Sequence, residues 1–373
     1  MSSPYAPEEI GLAGPRGPVV APGEFVFAAA FFEHAHLFGQ CDALLAAGAT
    51  LAWVYDPDAA KAAALQTRYP QAKLARTFDE ILDDPTVRLV TAAAVPSERC
   101  GIGLRVLRAG KDYFTDKAPL TSLAQLAEAR RVAAETGRKY AVYYSERLHN
   151  EAALHATQLI ARGVIGKVVQ VVGFGPHRIG RDRRPAWFYD KARSGGILCD
   201  LASHQFEQLL TWTGADRVDI THAMAANHAH GDASEFEDYG EASLCTDTGA
   251  TGFVRVDWLT PDGLGTWGDG RSFILGTRGY IELRKYIDVA RERTGSHVYV
   301  VDGTGEHHIP VAGRIGFPFF DQLIRDCLER TEHAMTQAHI FRVAELTLRV
   351  QQLAASRTTS PALAAGVYGN ATR

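Results

Sequence analysis

The chain is short of the features that would assign it to several broad classes. Its five cysteines, Cys41, Cys100, Cys199, Cys245 and Cys327, are odd in number and widely scattered. With no C-x-x-C pair, neither a disulfide framework nor a thiolate zinc site is expected, and a reducing cytoplasm is the expected compartment. Charge of one sign is not in excess: 39 basic against 43 acidic residues leave a formal net charge of −4. A nucleic-acid partner, which would need a basic face, is not expected. No apolar run reaches the ~18 residues of a membrane span, so no membrane partner is expected either. The opening residues lack a basic stretch followed by an apolar one, and a secretory signal is not expected. They are rich in Pro and Gly instead, and residues 1–23 read as a flexible arm able to wrap a partner subunit.

What is present is ordinary globular material. With 373 residues, 46% hydrophobic and 22% charged, the chain has enough apolar side chains for two domains, each with its own core. Residues 24–145 alternate short apolar runs with helical patterns. Strands are expected over 24–30, 50–55, 87–95, 113–115 and 140–144, with helices between them and Asp56 and Ser97 placed as helix caps. That alternation implies a doubly wound, Rossmann-type parallel sheet, whose ligands sit beyond the carboxyl ends of its strands. Over 146–373 the grammar changes. A helix over 151–161, a β-run over 167–173, an Arg/Pro/Trp-rich loop and a helix near 196–213 precede five β-runs between 242 and 301. Two helices close the chain. This reads as an α+β domain with an open-faced, mainly antiparallel sheet, suited to substrate binding and oligomerisation.

A dinucleotide fold places G-x-G-x-x-G after its first strand so that backbone amides can approach a pyrophosphate. Counted back from Asp56, those positions fall on Phe31, Glu33 and His36. None is glycine, and Glu33 brings a carboxylate toward an anionic ligand. His34 and His36, if protonated, could hydrogen-bond a phosphate in place of the amides, or they are simply polar loop residues. Asp56 ends the second strand, where a carboxylate accepts from ribose hydroxyls and repels a 2′-phosphate; this favours NAD over NADP.

Two further segments carry chemistry. Lys117, in Asp116-Lys117-Ala118-Pro119, follows a strand at the sheet's carboxyl edge, where it could stabilise alkoxide character on a substrate oxygen or simply be solvated. In Gly195–His204, the double glycine permits close backbone approach to a ligand, and Asp200 and His204 share a helical face. A carboxylate beside an imidazole can orient a general base; the same spacing suits a surface pair or two metal ligands. Tyr144, Arg147, His149 and Asn150 at the domain entry, with His177, Arg178, Arg184 and Trp187 in the Arg-rich loop, form an aromatic-plus-donor mixture fit for a polyhydroxylated or anionic small molecule. Interdomain packing is the alternative. Trp258 and Trp267 could floor a pocket or pack a sheet.

Several segments, in order, resemble the glucose–fructose oxidoreductase/inositol dehydrogenase (Gfo/Idh/MocA) family: Tyr55-Asp56-Pro57-Asp58, Leu82–Pro85, Ala109–Asp112, Asp116–Leu120, Arg162–Val168 and Gly195–His204. The resemblance spans roughly residues 24–355. It implies Lys117, Asp200 and His204 as the catalytic set, and an NAD-dependent oxidoreductase acting on a secondary alcohol or ketone of a sugar, polyol or related hydroxy compound. It further implies His34, His36, Asp56, Pro96 and Asp116 around the cofactor, no metal, and a homodimer or homotetramer. Departures accompany it. Asp116 stands for the family's Glu, Ala118 for its Pro, the histidine after Pro96 is missing, and the glycine loop is lost. A non-redox enzyme on the same scaffold (isomerase, lyase or metal-assisted hydrolase) and a silent ligand-binding protein remain the alternatives.

Overall fold

The computed structural model describes residues 3–12 and 17–358. Six parallel strands form the first sheet: β1 (Val26–Phe32), β2 (Thr50–Tyr55), β3 (Lys73–Leu74), β4 (Leu89–Ala93), β5 (Asp112–Asp116) and β6 (Tyr140–Tyr143). Their spatial order is β3-β2-β1-β4-β5-β6. The crossovers are α1 (His36–Ala46), α2 (Ala59–Arg68), α3 (Phe78–Asp83), α4 (Pro96–Arg108) and α5 (Leu123–Thr136). Every residue of β4, β5 and β6 is buried, as strands covered on both faces must be. The strand order reverses between β1 and β4, which opens a crevice beyond their carboxyl ends.

Two caps differ from expectation. Asp58, not Asp56, caps α2, accepting from the Ala60 and Lys61 amides. α4 begins at Pro96 with Val95 before it, so Ser97 lies inside the helix and no side chain caps it. Proline at the first helical position has no N–H, so one of the helix's four unpaired amides is absent.

The second sheet follows α6 (Ser145–Leu148) and α7 (Glu151–Ala161). It begins with β7 (Val168–Pro176), after which come α8 (Lys191–Ser194), α9 (Ile197–Asp200) and α10 (Ala202–Thr213). Then β8 (Val218–Ala226), β9 (Tyr239–Thr246), β10 (Thr251–Asp257), β11 (Arg271–Gly276), β12 (Gly279–Arg284), β13 (His297–Asp302) and β14 (Gly305–Pro310) complete eight strands in the order β14-β13-β12-β11-β7-β10-β9-β8. All neighbours are antiparallel except β7 and β10. Burial alternates along β9 and β10, because one face packs on α9 and α10 while the other is open. The terminal helices α11 (Phe319–Glu329) and α12 (Gln337–Thr358) return to the first domain: α11 packs on α1, and α12 on α5 and β6 as well as β8.

Of the segment read as an arm, residues 1, 2 and 13–16 lie outside the described residues. Residues 3–12 pack on the second domain of their own chain. The Tyr5 carbonyl accepts from His155 Nε2 at 2.7 Å, the Ile10 carbonyl accepts from Arg162 at 2.6 Å, and Ala6 and Ile10 are buried. Among the described residues no helix is long and apolar enough to cross a membrane.

Candidate active site

Beyond the carboxyl ends of β1, β4 and β5 lies a cavity of about 270 Å³, walled on its far side by the second domain. Lys117, directly after β5, donates from Nζ to Asp200 Oδ1 at 2.6 Å across its wall. Asp200 ends α9 and His204 lies in the first turn of α10, with Leu201 joining them in helical conformation. All three line the cavity. The expected bond from Asp200 to His204 is not made: His204 Nδ1 has no partner, and the Asp200 carboxylate goes to the ammonium, the stronger electrostatic partner within reach. Burial raises the cost of the Asp200 charge, but Lys117 and Arg184 outweigh it and hold the carboxyl below its ordinary range. His204 is 2% exposed, and burial pushes its imidazole down to about 3 against the pull of Glu146. The ring is therefore neutral across the physiological range.

Glu146 and Lys285 were not legible in the sequence. Glu146, in α6, accepts from Lys285 Nζ at 3.0 Å and from Gln205 Nε2 at 2.8 Å, and both ionic partners are fully enclosed. Burial opposes its charge, yet Lys285, His204 and His177 hold it down to about 2. Its second oxygen, Oε1, is buried without a partner. Its place just past the end of β6 is the kind of signal that could have found it; nothing marks Lys285, which follows an outer-sheet strand.

The predicted substrate residues divide. His177, Arg178, Arg184 and Trp187 line the cavity together with Trp258 and Trp267. His177 lies edge-on to Trp258, and the Arg184 guanidinium stands 4.8 Å from the Trp258 ring. Tyr144 and Arg147 are not among the lining residues. Tyr144 is fully buried with its ring edge-on to His204 at 6.3 Å, and Arg147 Nε pairs with the enclosed Glu207 carboxylate at 2.8 Å. A buried carboxylate requires such a cation, and that requirement takes Arg147 out of the site. His149 stacks on Phe317 and Asn150 caps α7. The double glycine serves another neighbour as well: Gly196 faces the carboxamide of Gln351 in α12.

The loop from β1 to α1 keeps its turn and loses its cradle. Phe31 adopts a left-handed φ of 57°, the backbone a glycine usually supplies there. Its ring closes on Tyr55 and Phe78 at 5.5 and 4.9 Å. The Phe32 amide donates to Asp56, that of Glu33 to the Ala93 carbonyl, and that of His36 to the His34 ring. Asp56 is thereby turned inward rather than toward a ribose. The Glu33 carboxylate pairs with Lys61 and accepts from Trp187 Nε1 at 3.2 Å. Both imidazoles are turned to Asp116: His36 Nδ1 contacts Asp116 Oδ2 at 2.9 Å and His34 Nδ1 lies 3.8 Å from the same oxygen. Pro96, His34, His36 and Asp116 all line the cavity. With the Phe32, Glu33 and His36 amides engaged and an anionic side chain beside them, the loop as it stands does not fit a pyrophosphate held by those backbone N–H groups.

Residues 28–144 match the family described as oxidoreductase family, NAD-binding Rossmann fold, and residues 153–282 match the GFO/IDH/MocA C-terminal domain. The chain is 46% identical to a provisionally assigned oxidoreductase of solved structure from Erwinia carotovora atroseptica SCRI1043, with a TM-score of 0.86 over 89% of this chain and 99% of that one. It is 27% identical over 266 residues to scyllo-inositol 2-dehydrogenase (NAD(+)) from Bacillus subtilis (strain 168), covering 69% of this chain and 71% of the relative. A match to D-xylose dehydrogenase from Paenarthrobacter nicotinovorans, 27% identical over 150 residues, covers 39% of this chain and only 38% of that relative. With both of its domains matched in order, the chain belongs to the glucose–fructose oxidoreductase/inositol dehydrogenase (Gfo/Idh/MocA) family of NAD-dependent oxidoreductases.

Proposed function

We propose that the cavity acts on a secondary alcohol or ketone of a sugar, polyol or related hydroxy compound, as an oxidoreductase of its family. The observation that carries this reading is the convergence of the Lys117–Asp200 pair and a neutral, enclosed imidazole, His204, on one small cavity. A substrate hydroxyl between them would give its proton to His204, while Lys117 stabilises the negative charge that develops on the oxygen. That charge also raises the proton affinity of His204, which the resting cavity keeps low. Asp200 holds the ammonium in place. His177, Arg184 and the tryptophans offer donors and apolar faces to the rest of the substrate.

NAD(H) is the redox partner the family brings to this reading; a preference over NADP(H) through Asp56 requires its carboxylate to turn out from the Phe32 and Asp58 amides. Seating NAD(H) requires His36 to leave Asp116 and Glu33 to leave Lys61 and Trp187. Those contacts favour a second reading, non-redox chemistry at the same three residues. Calorimetric titration of NAD and NADH into the purified protein, with a check for carried-over nucleotide, separates the two. Micromolar binding supports the dehydrogenase and predicts turnover on a polyol and sugar panel. Absence of both bound and binding nucleotide leaves the non-redox reading. The open face of the second sheet, with Val169, Met224 and Leu275 exposed on it, supports the expectation of a homodimer or homotetramer.

A further inference from the structure

Two departures from the family's pattern, an imidazole at the last glycine position and Asp116 in place of Glu, meet at one point. His34 and His36 come from the loop entering α1, and Asp116 ends β5; their ligand-capable atoms lie within 4.8 Å of one another. Both imidazoles turn Nδ1 toward the same carboxylate oxygen, at 2.9 and 3.8 Å, and His34 Nδ1 also accepts from the His36 amide at 3.3 Å, a long bond that an ion would replace. Donors around a single ion at about 2.1 Å stand about 3–3.5 Å apart, so small side-chain adjustments would place all three in one coordination shell. We propose that His34, His36 and Asp116 bind one divalent transition-metal ion, zinc or a near neighbour in its row, with its open coordination positions facing the cavity.

The donor chemistry selects the class of ion. Two imidazoles and one carboxylate suit zinc, iron, cobalt or nickel; magnesium and calcium prefer oxygen donors. Three protein donors are too few to close a structural site, and they leave room for water or a substrate oxygen. The place agrees with this, since Lys117, the next residue after Asp116, and Asp200 line the same cavity. Arg99 sets the limit on affinity. Its guanidinium is held by the Ala94 and Ala118 carbonyls, with Nη2 3.8 Å from Asp116 Oδ2, so an ion must share that carboxylate with a fixed positive charge. Micromolar rather than near-irreversible binding follows. The site would give the cavity a Lewis acid where the loop no longer cradles a pyrophosphate, and the ion would compete with NAD, whose seating takes His36 from Asp116.

The test uses the whole chain, stripped with a chelator and titrated calorimetrically with zinc chloride, with magnesium chloride as the control. One equivalent of zinc is expected at micromolar affinity, with no magnesium binding, and cobalt(II) should give visible d–d absorption on addition to the stripped protein. His34→Ala and His36→Ala should each weaken zinc binding at least about tenfold. His36→Gln keeps a polar group at the start of α1 and should lose the metal equally, and unchanged melting of each metal-free variant excludes misfolding as the cause. Absence of stoichiometric zinc binding, or retention of wild-type affinity in the His34→Ala/His36→Ala double variant, would overturn the assignment.

Discussion

Lys117 and His204 reach the same cavity with opposite electrostatic settings. Lys117 is tied to a carboxylate that keeps its ammonium in place, whereas His204 has lost its solvent and has no hydrogen-bonded carboxylate to compensate. A neutral imidazole beside a fixed cation is an acceptor that gains proton affinity only when negative charge appears on the substrate. Each side chain should therefore act in the transition state more than in binding. Once a substrate is identified, Lys117→Ala or His204→Asn is expected to lower kcat by about 10²–10⁴-fold with a much smaller change in KM. A loss of no more than about threefold in steady-state assays of either variant would remove that residue from the mechanism. Asp200 is a positioning residue by the same argument. Asp200→Asn should be milder than Lys117→Ala, because the amide oxygen still accepts from Nζ.

At the scale of elements, the short helix α9 carries Asp200 and is held from a distance. Its first amides are satisfied from outside: Ile197 N donates to Glu237 at 3.0 Å and Leu198 N to Gln351 in α12 at 3.0 Å. This requires Gln351 to lie against the backbone of Gly196, where a Cβ would come within 2.6 Å of the carboxamide, and Gly196 itself has φ of 87°. Gly196→Ala should thus cost about 1–3 kcal/mol in urea unfolding, from the left-handed backbone and the displaced amide together. It should also reduce turnover through Asp200. Stability within 0.5 kcal/mol of wild type would show that the contact relaxes freely. The double glycine was visible in the sequence as a place of close approach, but its neighbour in α12 was not. The same division runs through the molecule. Strand–helix alternation in residues 24–145 was legible because buried parallel strands are continuous apolar runs. The strands β8 and β14 at the two ends of the second sheet escaped, since Val218–Ala226 and Gly305–Pro310 mix polar residues with small ones. Asp58 hid behind Asp56 because two acids flank one proline and either could cap. Charge pairing is the least legible of all: Lys117 and Asp200 are 83 residues apart and Glu146 and Lys285 are 139 apart. Their partners are chosen by the folded cavity, and no local pattern encodes that choice.

For the molecule as a whole, the enclosed histidines set a pH limit. Burial pushes His155 down to about 4 and His204 down to about 3, and each ring is almost completely removed from solvent. In the unfolded chain both would titrate near 6.5. Below that value the unfolded state binds protons that the native state refuses, so the sign is fixed: stability is fully present above pH 6.5 and declines as pH falls toward the folded values. Between pH 6.5 and 5 each histidine should remove about 1.5 kcal/mol. The enclosed Glu146 and Glu207 do not confuse this window, because each is held at about 2 and would lose its contribution only as the pH falls below the ordinary carboxylate range. His155 carries a further consequence, since its Nε2 donates to the Tyr5 carbonyl and so fastens residues 3–12 to the second domain. Thermal melts across pH 5–8 should show a falling midpoint below 6.5. His155→Gln, which can still donate to Tyr5 but cannot titrate, should flatten at most about a third of that slope, because burial also pushes His177 down to about 4 and it titrates in the same window. A midpoint that is level from pH 7.5 to 5 would mean that these rings become protonated within the native fold, and the neutral imidazole assigned to His204 would fall with it.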